Sequence, residues 1–520
     1  MPRFNLIEEA WIPVRKGSVV KEVSLREALV HAYQYERLED PSPLVEVALL
    51  RVLLAVLHRA LEGPENEDAL FDLFDAGRFP RDRIEAYLER FYDRFWLIHD
   101  VTPFWQVADL PSGEKSTPIS KLNPMQASGD NPTLFNHSFD DDQQVVGFAE
   151  AARLLCSHQT FAPGGTLSGN RDFFKVTSGK DAPLARSAVF VPQGANLFET
   201  LAYLLPPYRG DGDSPTWEEP PLRAEELIAG EDGSPKRRLP LIGRTRVYTW
   251  PSRGILFLPE GEEVRYVAYG PGIHPLDPER YHDPFTAVEV DAKKKTLRVT
   301  RLRKNRGFWR DFGALFPEPG QGAPPQVLET ARALASRTGR RKRRPVPLMV
   351  TGQVTKPGMD KVLEIRRELF PLPTKALPRI LSGYIRNALK VTEAHAKCLE
   401  KALKDTSKEL IAMNDDEKVK KKRGKNERSG KERSSRLLNS LPGLPYYYHR
   451  LGILFLNFLE NLDDDLENAL QQWQSVVLST TQDAWAITRQ QAGTQSRTLK
   501  ALQKGERTLT ICLRKEKKNA

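Results

Sequence analysis

The chain has 520 residues, 40% of them apolar and 28% charged, with a formal net charge of +10. That length exceeds what one compact core holds and predicts two or three domains, while the positive balance suits a polyanionic partner as readily as an ordinary soluble basic protein. Glu8 and Glu9 argue against a signal peptide, the charges within residues 44–61 argue against a membrane span, and the three cysteines (Cys156, Cys398 and Cys512) are too widely spaced for a zinc pattern or a disulfide framework, which fits a reducing cytosol.

In chain order, Trp11–Arg15 and Val19–Val23 flank a Lys16-Gly17 turn and read as a hairpin feeding a helical pattern at Leu25–Leu29. Leu44–Leu61 is predicted as a helix, capped at Ser42, with Pro43 in its first turn and Gly63-Pro64 as its stop. Apolar residues occupy nearly every face of it, as in a helix buried inside a large domain. A second helix is predicted over Arg81–Trp96, broken by Thr102–Gln106. Residues 107–145 lack periodicity and include Asp140–Asp142; loops this long in compact domains are functional or disordered. Val145–Leu155 is predicted helical, Phe161–Ala185 loop-like, and Asn196–Leu205 a short helix. Strands are expected at Arg246–Trp250, Ile255–Phe257, Val264–Val267, Ala287–Val290 and Leu297–Val299, the last two forming a hairpin with a lysine-rich tip. Arg340–Arg344 is a basic run ahead of a strand at Val346–Val350, a turn over Gly352–Asp360 and a helix from about Lys361.

Beyond Pro373, helical periodicity dominates in Ile380–Ala412, Leu451–Leu462, Asp464–Leu478 and Arg497–Leu513. The expected architecture is therefore a mixed, irregular α/β domain over residues 1–370, joined to an all-α four-helix bundle over residues 371–520. A basic loop, residues 418–436, lies between the first two bundle helices. No internal repeat is evident.

Catalytic chemistry has little footing. The nine histidines show no His-x-His, His-Glu-x-x-His or Cys-x-x-Cys pattern. His99-Asp100 is a lone dipeptide, no phosphate-binding Gly-x-x-x-x-Gly-Lys-Ser/Thr occurs, and Ser168 is misplaced for a nucleophile elbow. No catalytic residue, metal ligand or cofactor is predicted. The glycine-rich stretch Phe161–Arg171 has little side-chain bulk. It is either a surface turn or a backbone able to approach a phosphate, sugar or base edge closely.

The segment Leu6-Ile7 followed by Trp11–Arg15 resembles the CasA family, the large subunit of the type I-E CRISPR surveillance complex Cascade. Further matches follow in order: Pro103–Gln106, Leu134–His137, Ala162–Gly164, Pro215–Trp217, Trp250-Pro251, the turn after Val350, and the C-terminal helices. The resemblance implies that Gly164 and Gly165 read the protospacer-adjacent motif (PAM) from the minor groove. It implies that Phe135 and Asn136 touch the 5′ handle of the guide RNA, and that Lys356, Pro357, Gly358 and Met359 form a wedge in the duplex. Lys293, Lys294 and Lys295 match a basic hairpin tip placed along DNA. The family's lysine finger finds no lysine between Val267 and Arg280, where Arg280 or His274 stands instead.

The implied function is PAM recognition, double-stranded DNA binding and initiation of unwinding by a cytoplasmic, non-membrane, non-enzymatic subunit. Its partners would be crRNA-bearing Cascade subunits, target duplex, the guide RNA and a helicase–nuclease. A scaffold that holds guide RNA without reading DNA, and a metal-dependent nuclease, are the alternatives.

Overall fold

In the computed structural model, the described residues are 1–112, 116–123, 125, 144–167, 170–210, 212–276, 278, 281–291, 293, 296–337, 346–355, 361–373, 378–415 and 436–519. They form two compact units. The first comprises Met1–Phe308 and Pro317–Thr374; the second comprises Trp309–Phe316 and Lys375–Ala520.

The spine of the first unit is the helix Pro43–Leu61, buried on almost every face. Its buried arginine is paired internally, because a buried charge without a partner is costly, although Arg51 Nε and His58 Nε2 are left without hydrogen-bond partners among the described residues. Arg51 donates to Asp283 Oδ2 at 2.8 Å and to the Val247 carbonyl at 2.9 Å, and lies 4.5 Å from the Tyr248 ring centroid. Ser42 stands at the cap position without a side-chain bond, and the Gly63 N–H closes the far end on the His58 carbonyl.

Around this helix pack small antiparallel sheets. Ile12–Lys16 pairs with Val19–Val23 as the expected N-terminal hairpin. Arg253–Glu260 pairs with Glu263–Pro271, and Thr117–Pro118 and Val146–Gly147 lie alongside the latter strand. Val288–Val290 pairs with Leu297–Val299, as the alternating pattern predicts. Helix Phe148–Phe161 starts three residues later and ends six residues later than expected, and Leu197–Tyr203 is capped by the Asn196 side chain.

Four local expectations fail, each because a distant partner overrides local preference. The helix from Arg81 ends at Arg90; a 3-10 turn at Tyr92–Arg94 leads into Trp96–Ile98, which pairs with Arg3–Asn5. Arg246–Trp250 is not a strand. Asp213 accepts the N–H groups of Arg244 and Thr245 at 2.8 Å and of Arg246 at 3.0 Å, and this remote cap starts a helical turn at Thr245–Tyr248. No helix starts near Lys361, because Val362–Leu372 pairs along the whole of Val346–Thr355. The stretch Phe161–Ala185 is also more ordered than its composition suggests: Gly165–Thr166 pairs with Ser178–Gly179, with a one-turn helix at Arg171–Phe174 between them.

The second unit contains four long helices, Pro378–Asp415, Gly443–Asn461, Leu466–Ala492 and Ser496–Asn519. The segment Trp309–Phe316 supplies rings to its core. Trp309 and Phe312 meet Phe455 at 5.6 and 5.5 Å, and Phe455 meets Trp473 at 5.5 Å. Gly452 makes room for Trp309, whose Nε1 would lie 2.9 Å from a Cβ at that position. Most of the basic loop over 418–436 lies outside the described residues; Arg436 opens the short helix 436–440.

The cysteine expectation also needs correction. Cys398 and Cys512, 114 residues apart, are joined by a disulfide between the first and last long helices, while Cys156 is a buried free thiol. No local spacing rule reveals a bridge made by helix packing.

Two outcomes follow. Arg51→Ala, which leaves Asp283 buried and unpaired, is expected to cost about 3–5 kcal/mol in denaturant unfolding, whereas Arg51→Met with Asp283→Leu should recover much of the loss. Reduction of Cys398–Cys512 is expected to destabilise the second unit by up to about 4–5 kcal/mol on a chain-entropy account. Thermal unfolding with and without reductant checks this, and a Cys398→Ser variant should no longer respond to reductant.

Candidate nucleic-acid interface

The glycine stretch is the outer edge of a short hairpin seated on one buried cation. Arg253 is only 3% exposed, at the start of the strand Arg253–Glu260. Its Nη2 donates to the Pro163 carbonyl at 2.6 Å and its Nη1 to the Lys180 carbonyl at 2.9 Å, so one guanidinium fastens both arms of the hairpin. Nη1 also reaches the Ser252 carbonyl at 2.6 Å and Nε the Tyr269 hydroxyl at 3.1 Å. Gln159 clamps the backbone of Arg253 from both sides, accepting its N–H at 2.9 Å and donating to its carbonyl at 2.8 Å.

This packing sets the residue types. A Cβ at Gly179 would lie 2.9 Å from the Arg253 Cζ, and one at Gly164 would meet the Gly179 carbonyl at 3.0 Å. Gly165 has φ 140°, a conformation that L side chains avoid. Gly164 itself is buried, and its N–H is committed to Asp181 Oδ1 at 2.7 Å. The rim open to a ligand is therefore Gly165, half-buried, and Thr166, exposed.

The electrostatics beneath the hairpin are one-sided. Among the described residues no carboxylate pairs with Arg253; its partners are carbonyls and a phenol. The field is felt by its neighbours. Burial, then Arg253, lowers the Lys121 pKa. Burial, then Arg253 and Lys121, holds His158 well below the imidazole range. His274 is brought down to about 4 by burial, then by Lys180 and Arg253. His274 thus offers no positive charge at neutral pH, and it is buried.

Beside the hairpin, Asp181 also accepts from Arg186 Nε at 2.6 Å. Burial, then Arg186 and, more weakly, Arg298, lowers the Arg301 pKa while Asp181 opposes them, so these arginines share one neighbourhood. Arg298, Arg301, Arg303 and Lys304 are exposed. This run escaped sequence reasoning because its cations are interspersed with other residue types and form no unbroken block; the density of five cations from Arg298 to Arg306 was the available signal.

The remaining predicted contacts divide. Lys293 is exposed at its hairpin tip, with its N–H bound by Asp291 at 3.0 Å. Phe135, Asn136, Lys294, Lys295, Arg280, Arg340–Arg344 and Lys356–Met359 lie outside the described residues. Gly352–Thr355, expected as the start of the wedge turn, is instead strand. Gln353 is buried there and donates to the Phe161 carbonyl at 2.9 Å, which makes it part of the hairpin's support.

Among the described residues no group of three or more His, Cys, Asp or Glu side chains could hold a metal ion. No helix among them is long and apolar enough to cross a membrane.

The family model described as CRISPR-associated protein Cse1 matches residues 5–484. The CRISPR-associated protein CasA/Cse1 of Thermus thermophilus is 43% identical over 509 residues, covering 97% of this chain and 96% of that protein. The solved structure of Thermus thermophilus CasA (Cse1) matches with a TM-score of 0.85 at 40% identity, over 99% of this chain and 100% of the other. A chain of a CRISPR RNA-guided surveillance complex shares the fold, with a TM-score of 0.74 at 18% identity over 98% of this chain and 100% of that one. A match that runs through the N-terminal hairpin, the glycine hairpin and most of the bundle leaves one conclusion: the chain belongs to the CRISPR-associated Cse1 (CasA) family.

Proposed function

We propose that this chain is the large subunit of a guide-RNA surveillance complex and that it inspects double-stranded DNA for a PAM. The observation that carries the reading is the glycine hairpin held over Arg253, a cation answered only by neutral groups. A slim backbone edge can enter a minor groove about 6 Å wide. A positive field beneath it favours the phosphates on either side. Gly164 holds the hairpin's shape through Asp181, and Gly165 with Thr166 faces the groove. Minor-groove readout separates A·T from G·C more than it separates individual bases, so tolerance of several motifs is expected.

Arg298, Arg301 and Lys293 supply sequence-independent affinity in this reading, together with Lys294, Lys295, Arg340–Arg344 and the basic loop near Lys420. The turn carrying Lys356, Pro357, Gly358 and Met359 parts the first base pairs. Pairing with guide RNA then tests sequence. Phe135 and Asn136 contact the guide RNA 5′ handle. The chain does no chemistry itself and delivers the opened target to a helicase–nuclease.

The decisive experiment is duplex binding by the assembled complex across randomised bases flanking the target. Thr166→Trp places bulk on an exposed side chain without straining the backbone, and Gly165→Val removes the φ 140° conformation. Both are expected to erase the flanking-base preference. Preference unchanged in both would overturn the placement of the hairpin. In the same assay, Arg298→Gln with Arg301→Gln should leave the preference intact and reduce the salt-dependence slope by about one per lost phosphate contact.

A further inference from the structure

One phenylalanine stands out among the described residues by its exposure. Among the described residues Phe173 is the only phenylalanine in the exposed class, at 42%. Its place is specific. It lies on the one-turn helix Arg171–Phe174, inside the hairpin closed by Gly165–Thr166 and Ser178–Gly179. The adjacent Phe174 is fully buried and acts as the anchor: its carbonyl accepts from the Ala229 N–H at 2.7 Å. Its ring occupies the space that a Cβ at Gly270 would need, 2.6 Å away. The two rings meet edge to face at 4.9 Å and 87°, so the anchored ring fixes the exposed one.

Lys175 and Lys180 follow on the same hairpin. Both are exposed, and neither makes an ion pair among the described residues. Lys175 has φ 56°, a left-handed turn that redirects the chain directly after the two rings. An exposed aromatic ring followed by unpaired lysines on the same hairpin is the composition of a single-strand nucleic-acid contact, where stacking is indifferent to base identity and cations track the backbone. Asp172, also exposed, disfavours phosphate immediately beside the ring and leaves that role to the lysines.

We propose that Phe173 stacks on a nucleobase displaced from the duplex at the glycine hairpin, with Lys175 and Lys180 on the adjoining phosphates. This rests on the nucleic-acid reading above and adds a contact residue to it. An apolar contact with another protein subunit is the competing use of an exposed ring.

The test uses the full-length protein in its assembled complex, with duplexes carrying 5-iododeoxyuridine at each position beside the motif. Irradiation couples this base to an aromatic ring stacked on it. The expected result is a crosslinked peptide containing Phe173. Phe173→Leu should lose the crosslink and weaken duplex binding about 10-fold, while Phe173→Tyr keeps both. A crosslink absent from wild type, or affinity unchanged in Phe173→Leu, overturns the stacking role. If Thr166→Trp still erases the flanking-base preference in that case, the nucleic-acid reading stands alone. If neither variant alters DNA binding, that reading fails too. Impaired assembly of Phe173→Leu with wild-type DNA affinity assigns the ring to a protein contact and also overturns the proposal. Should Phe173→Leu lower the melting temperature, Phe173→Tyr decides, because loss of crosslink in a ring-preserving variant is incompatible with stacking.

Discussion

The buried guanidinium of Arg253 is the constraint from which the glycine hairpin follows. Burying a charge without a counter-charge is costly, and here the cost is offset by hydrogen bonds to the Pro163, Lys180 and Ser252 carbonyls and the Tyr269 hydroxyl. Those acceptors belong to four separate stretches of chain. A lysine could not make the same contacts, since its single nitrogen cannot reach carbonyls on both arms of a hairpin in the plane of a fork. Carbonyl dipoles satisfy the donors but leave the net charge in place. Burial first, and then that residual charge (after Lys180 in the case of His274), lowers the pKa of His158, His274 and Lys121.

The same geometry explains the density of glycines. Two strands only two residues long contribute little pairing energy of their own. Their stability comes from the cation behind them, and close approach to that cation excludes side chains at Gly164 and Gly179. The side chains that would make an ordinary hairpin stable are therefore replaced by an anchor on the inner face. What remains outside is bare backbone at Gly165 and one small residue, Thr166. A thin edge and a rigid support are two consequences of one packing choice.

Much of the fold was legible because its signals are local. The buried helix Pro43–Leu61, the hairpin at Val288–Val299 and the existence of four C-terminal helices follow from apolar periodicity within each segment, although Gly443–Asn461 starts well before the expected Leu451 and Leu466–Ala492 runs well past the expected Leu478. The failures share a different cause. Arg246–Trp250 has strand-like side chains, but Asp213, some thirty residues earlier, caps a helical turn there. The residues after Lys361 look helical in isolation, but an eleven-residue strand at Val362–Leu372 satisfies the edge of Val346–Thr355. Cys398 and Cys512 meet only because two long helices lie side by side. At the interface, the glycines were visible and their support was not. Arg253 reads in sequence as a lone arginine before an apolar strand, and only the folded arrangement reveals that Pro163 and Lys180 converge on it.

The burial of Gly164 refines how such a surface can read DNA. An amide already bonded to Asp181 at 2.7 Å has no donor to offer a base edge. Its contribution is shape, held by a carboxylate that also binds Arg186. Asp181 thereby links the hairpin to the arginine neighbourhood of Arg186, Arg298 and Arg301. In the proposed reading, a phosphate arriving there would compete with Asp181 for Arg186. In this reading phosphate engagement and hairpin geometry are coupled through one acidic side chain, so affinity for the backbone and discrimination among bases need not be separate properties of the surface.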